Sequence, residues 1–192
     1  MKHIITCLGL LIASSILPSQ AAMISIVPAN NATTVGQQLV IDLAISGLGD
    51  NQANSLSIFD IDVMFDDQKL VFQQATFGDQ LDLAGFGSWQ LINQPSAGIV
   101  NLFELSFDDI DTLDTLQAGS FVLVSMVFDV IDNGVATLFS QVNSLGDAYG
   151  IELTNIELVN AQIVVPEPSI SVVMALGLLM VFRCQRSLSR KN

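Results

Sequence analysis

The sequence predicts an all-β fold, an antiparallel two-sheet sandwich of about nine strands. Apolar residues recur with a period of two in several stretches, which marks half-buried strands. Clusters of Gly, Asp, Asn and Pro separate those stretches, and no long segment carries a helical stripe. One-sided strands of this kind bury their apolar faces by packing two sheets against each other.

The elements follow in order. Met1 to Ala21 reads as a secretory signal peptide: Lys2 and His3 at the start, an apolar core from Ile4 to Leu17, and Ser19-Gln20-Ala21 as the cleavage site. Strands are expected near 23–27, 37–46, 55–65, 69–76, 88–93, 98–107, 119–131, 134–142 and 155–165. In the second, Leu39, Ile41, Leu43 and Ile45 form the apolar face. In the third it is Phe59, Ile61, Val63 and Phe65, with Asp60 and Asp62 opposite. Ile99, Asn101, Phe103, Leu105 and Phe107 follow the same period, as do Val122, Val124, Met126, Phe128 and Val130. Asp132-Asn133-Gly134 predicts a hairpin, because Asn and Gly tolerate positive φ. A short helix is expected from Ile110 to Leu116.

Several of these elements carry a resemblance. Val35-Gly36-Gln37-Gln38 leads into the second strand. Phe59-Asp60-Ile61-Asp62-Val63-Met64-Phe65-Asp66 precedes Leu70-Val71-Phe72. Later come Ala118-Gly119-Ser120-Phe121-Val122-Leu123 and Met126-Val127-Phe128-Asp129-Val130. This order resembles the cohesin-like β-sandwich related to carbohydrate-binding modules, a jelly-roll fold, over nearly all of 23–165. The resemblance implies a module that binds a dockerin or a polysaccharide, or serves as a plain surface domain. It assigns no contact residue.

The C-terminus carries a second one. Val165-Pro166-Glu167-Pro168 is followed by an uncharged apolar run from Ser169 to Phe182, then by Arg183, Arg186, Arg190 and Lys191. The prolines enforce an extended stub. The apolar run is short for a membrane span, which needs about 20 residues, and the flanking arginines extend its reach by snorkelling. The cationic end belongs in the cytoplasm. These parts together resemble a PEP-CTERM protein-sorting signal. That family implies a Gram-negative, exopolysaccharide-forming host and cleavage of the tail by an exosortase. The expected organisation is therefore a signal peptide at 1–21, a sandwich at 22–165 and a sorting signal at 166–192, with a transmembrane helix over about 169–182. Signal peptidase, the exosortase and the membrane are the implied partners. The protein is expected to be exported across the inner membrane, anchored there at least transiently, and then to reside in the envelope or extracellular matrix.

Composition narrows the chemistry. Of 19 acidic residues all but Glu167 fall in 22–165, against the single base Lys69, giving that segment a net charge near −17. Such a surface repels nucleic acid and suits basic partners or divalent cations. His3 and Cys7 fall in the signal and Cys184 in the tail, so no histidine or cysteine is left for nucleophilic catalysis, a disulfide or a soft-metal site. Asp60 and Asp62 share a strand face and are the one carboxylate pair a glycosidase could use, but nothing in the sequence sets one apart as the acid, so a non-enzymatic protein is expected.

Two ligand sites remain open. Asp108, Asp109, Asp111 and Asp114 crowd one loop and supply hard oxygens for calcium; alternatively they cap and charge the start of the short helix, with Asp108 or Asp109 as N-cap. No other cofactor is implied. Sugar binding would use exposed aromatic faces, for which Trp89 and Tyr149 are the candidates, with Phe86 beside Trp89. Tyr149 sits in a glycine-flanked loop and is expected to be exposed, whereas the area a tryptophan buries favours Trp89 in the inter-sheet core. The expected role is structural or adhesive, in association with exopolysaccharide. The alternatives are a protein-binding cohesin-like module and a carbohydrate-binding module.

Overall fold

The computed structural model describes residues 22–49, 53 and 55–167. The expected signal peptide, Pro168, the apolar run and the basic residues Arg183, Arg186, Arg190 and Lys191 lie outside the described residues. Among the described residues no helix is long and apolar enough to cross a membrane.

The chain forms β1 (Ala22–Pro28), β2 (Gln38–Ser46), β3 (Ile58–Phe65), β4 (Leu70–Phe77), β5 (Ser88–Ser96), β6 (Ile99–Ser106), helix α1 (Ile110–Leu116), β7 (Phe121–Val130), β8 (Gly134–Gly146), β9 (Ile156–Val159) and β10 (Ala161–Val165). The first sheet has the order β4-β7-β2-β1-β9, the second β10-β8-β3-β6-β5. Period-two patterning works as expected in β2 and β3. Leu39, Ile41, Leu43, Ile45, Phe59, Ile61 and Val63 are all buried. Phe128 sits at the centre, edge-on to Phe65 at 5.0 Å and to Phe72 at 5.6 Å between ring centroids.

The structure corrects the sequence reading in five places. In β6 the buried face is Val100, Leu102, Glu104 and Ser106, so Ile99, Asn101, Phe103 and Leu105 point outward. In β7 a bulge leaves Leu123 without a partner on β2: Leu43 pairs with Val124 and Ala44 with Val122. The extra residue flips the alternation, so that Leu123 and Val124 are both buried and Val122 faces solvent. Asp132-Asn133-Gly134 does make a tight corner, with φ of +114° at Gly134. It joins β7 in the first sheet to β8 in the second and is therefore not a hairpin. The two-residue hairpin lies instead at Ala97-Gly98, between β5 and β6, where Ser96 pairs with Ile99.

The last two corrections concern the final strand. It breaks at Asn160, with β9 joining the first sheet and β10 the second. β9 runs parallel to β1, Ala22 facing Ile156, so the sheets are not purely antiparallel.

Candidate functional site

The outer face of the second sheet concentrates the exposed chemistry. Its side chains are those that alternate with the buried ones on β5, β6, β3 and β8. The register places Trp89, Leu105 and Ile58 side by side in one row. The next row is Leu91, Phe103 and Asp60, and the third is Asn93, Asn101, Asp62 and Gln141. One end of the face is thus apolar and the middle is polar.

β5 exposes nearly its whole length on both faces. It is the outermost strand of its sheet and overhangs the core. For that reason Trp89 does not enter the inter-sheet core: it is 53% exposed and packs edge-on against Phe103 at 5.7 Å. Leu91 and Ile92 are exposed on opposite faces of the same strand, and Phe86 projects beside it. An exposed cluster of this kind on an otherwise acidic domain makes this face the candidate site.

Asp60 and Asp62 share one partner. Asn101 Nδ2 donates to Asp60 Oδ1 at 2.6 Å and to Asp62 Oδ1 at 2.7 Å, and Asn143 Nδ2 reaches Asp60 at 3.2 Å. One amide nitrogen carries a hydrogen for each carboxylate, so the pair sits side by side in fixed geometry on an open sheet face.

Beneath the overhang Glu104 points inward and is 1% exposed. Its Oε1 accepts from Ser88 Oγ at 2.6 Å and from Gln90 Nε2 at 2.8 Å, both on β5. Burial pushes its carboxyl above the ordinary glutamate value; the two hydrogen bonds pull the other way, and the Asp82 charge adds to the rise. A carboxyl raised in the folded state stabilises the fold fully only at low pH. That contribution is lost as pH climbs from the unfolded value through the folded one. Glu104→Gln retains the accepting oxygen and removes the charge. Its melting temperature is expected to exceed the wild type's by about 2–4 °C at pH 8 and by nothing near pH 4. Thermal unfolding followed by circular dichroism checks this, and an equal gain at both pH values would rule out the charge as the cause.

The carboxylates of the crowded acidic loop turn to different partners. Asp109 is the N-cap of α1, its Oδ1 accepting from Thr112 N at 2.8 Å, and that hydrogen bond holds its carboxyl below the ordinary range. Asp108 turns the other way, accepting from Leu83 N at 2.6 Å and from Ala84 N, and so pins the loop that carries Phe86. Asp114 accepts from Ser55 Oγ at 2.5 Å. Asp111 stays exposed in the first turn of α1. Among the described residues no three such side chains gather where they could hold a metal. Asp109 thus caps the helix and Asp108 pins a loop, the backbone N–H groups taking oxygens of these two carboxylates.

Tyr149 is 64% exposed, as expected for its loop. The Asp114 carboxylate, as the phenol's hydrogen-bond acceptor, pushes its pKa up. The loop follows Gly146, which pairs with Ile58, so Tyr149 and Trp89 lie toward the same end of the sheet on opposite sides of its face. Val165, Pro166 and Glu167 of the expected sorting motif close the described chain, Val165 ending β10 against Gly134.

The sequence reading singled out Trp89 and the aspartate pair but missed Leu91, Phe103, Asn101 and Asn143. For Phe103 and Asn101 the signal was the opposite parity of β6, which its Glu104 disguised; Leu91 and Asn143 lie on β5 and β8.

No protein-family model matches the chain, and none of the curated proteins does. Solved structures do. A cohesin of OlpA from Clostridium thermocellum, crystallised as a cohesin–dockerin complex, superposes with a TM-score of 0.62 at 13% identity, over 77% of this chain and 100% of that one. The sixth cohesin of scaffoldin B from Acetivibrio cellulolyticus, crystallised with a Cel5 dockerin mutant, gives 0.59 at 18% identity, over 77% and 100%. A non-cellulosomal cohesin from the archaeon Archaeoglobus fulgidus gives 0.57 at 12%, over 81% and 98%. The sandwich has the cohesin fold.

Proposed function

We propose that this protein is a non-enzymatic, protein-binding module displayed at the cell envelope, and that the outer face of its second sheet receives the partner. The observation that carries the reading is the cluster of exposed Trp89 and Leu91 on half-buried Phe103, beside the Asn101-bridged pair Asp60 and Asp62. An aromatic anchor next to fixed charges is the anatomy of a protein-binding hot spot. The acidity of the domain selects a partner with a basic contact surface. The fold of the cohesins crystallised with dockerins makes a dockerin-like module the first partner to try. In this reading the exported chain is held by residues 166–192, which act as a PEP-CTERM sorting signal for an exosortase and bring the module into an exopolysaccharide matrix.

The test is capture of dockerin modules and of envelope proteins by the full chain in mild detergent. Trp89→Ala is expected to weaken capture by about 2 kcal/mol, some thirtyfold, without changing the melting curve. Equal capture by Trp89→Ala and Leu91→Ala would remove this face from the proposal. Retention by host polysaccharide with quenching of Trp89 fluorescence would replace the protein partner with a sugar, for which the exposed indole is suited. Sorting is read separately by mass spectrometry of the mature C-terminus. Replacement of Pro166 and Glu167 by Ala should abolish processing, and an unchanged C-terminus would refute the sorting role.

A further inference from the structure

The lane beside β8 in the second sheet is interrupted. On the side away from β3, β10 covers only Gly134 to Leu138, with Ala161 opposite Leu138. Farther along, Glu152 bridges Gly146 and Leu153 N donates to Leu145 O at 2.9 Å. Between those two closures the chain leaves the lane. It crosses to the first sheet, pairs with β1 as β9, and returns at Ala161. Phe139 to Ser144 therefore have no strand on that side among the described residues, a length of about 20 Å.

The detour encloses a cleft of about 670 Å³ against this bare edge. Val142, Leu153, Ile156 and Leu158 give it apolar walls, and Glu152 supplies its charge. Ser140 also lines it. Ser140 is 6% exposed, and its Oγ is buried without a hydrogen-bond partner. Its N–H, on the lane side, donates to the side-chain oxygen of Asn160 at 3.3 Å, so a side chain stands in for one missing strand carbonyl. Backbone groups two residues apart on a strand point the same way, so Val142 presents its N–H and C=O to the same empty lane. A buried hydroxyl without a partner and a bare strand edge are both costly features unless something completes them.

We propose that this interrupted lane binds a short extended peptide segment of a partner, about four residues long, by strand addition to β8. The closures at Leu145 and Ala161 exclude a long strand. An apolar side chain of the peptide turns inward onto Val142 and Ile156, and a Lys or Arg lies beside Glu152, in keeping with the single base among the 22–165 residues. The site lies at β8, across β3 and β6 from Trp89 on β5, and stands or falls without the Trp89 cluster.

The probe is a fluorescein-labelled amide, Lys-Val-Thr-Val-Lys, titrated into the full-length chain in detergent and followed by anisotropy and by hydrogen–deuterium exchange. Saturable binding is expected, with new protection across Phe139 to Ser144. N-methylation of the two valines should weaken it about tenfold, because the side chains remain while the inward-facing residues, opposite Ser140 and Val142 in an antiparallel pairing, lose the N–H groups that turn to β8. Exchange of both lysines for glutamate should weaken it similarly. Leu158→Trp fills the cleft from an exposed position and should abolish binding while leaving the melting curve unchanged. The proposal is overturned by no binding at millimolar peptide, by equal binding of the N-methylated peptide, by protection appearing at Ser88 to Asn93 instead, or by concentration-dependent protection of Phe139 to Ser144 without peptide, which would assign the lane to a second copy of the chain.

Discussion

Phe128→Ala is expected to lower the unfolding free energy by about 3–5 kcal/mol, among the largest effects of a single truncation in this sandwich. Phe128 is fully buried on β7 and holds Phe65 of β3 and Phe72 of β4 in edge-on contact. It thereby joins the two sheets where the chain crosses between them, at the turn from Phe65 to Leu70. Removing the ring loses its transfer energy and leaves a cavity walled by two aromatic rings that lose their partner. Domains of this size are stable by only about 5–15 kcal/mol, so the variant stands close to unfolding at body temperature. Urea denaturation measures the loss. Phe128→Leu, which retains most of the volume, should cost distinctly less, and equal losses for the two would show that the ring packing is not the cause.

Gly98→Ala is expected to cost about 2–3 kcal/mol and to weaken partner capture as well. Gly98 closes the β5–β6 hairpin with φ of +74°, and a Cβ there would lie 2.7 Å from the carbonyl oxygen of Phe65. The same backbone contact is a hydrogen bond in the native fold, Phe65 N donating to Gly98 O at 2.8 Å. The methyl group has a backbone atom to displace and no flexible side chain to push aside. Gly36→Ala makes the control: its φ is +85°, with nothing within 4 Å of the added carbon, so it carries backbone strain alone, about 1 kcal/mol. The comparison is read from melting and capture together. A Gly98→Ala variant that loses no more than Gly36→Ala would mean that the hairpin relaxes freely, and that the Trp89 row does not depend on its register.

Most of the sandwich was legible because most strands are buried on one face only. In β2 the odd-numbered positions are apolar and the even ones mixed, and burial follows. β6 was misread because both faces contain apolar residues and the buried one contains a carboxylate. Glu104 is acceptable inside only because Ser88 and Gln90 come to it from another strand, which periodicity along β6 does not register. The β7 bulge likewise belongs to a pair of strands, since Leu123 is extra only relative to β2. At Asp132-Asn133-Gly134 the local chemistry was sound, but a tight corner does not specify whether the next strand pairs with the last or changes sheet. Trp89 was assigned to the core on the strength of its size, and the overhang of β5 decided otherwise, a property of sheet width. The acidic loop was legible as a helix cap through Asp109.

The parallel pair of β1 and β9 also bears on when the domain can fold. Ala22 begins the first strand and faces Ile156, near the far end of the domain, so β1 lacks one neighbour until almost the whole sequence is available. Closing so long a loop is entropically costly, and topologies dominated by distant pairings fold slowly. A chain that becomes available from its N-terminus would keep its opening strand half-paired until the last strands followed. The first sheet therefore reaches its full width only when the end of the domain has arrived to supply β9.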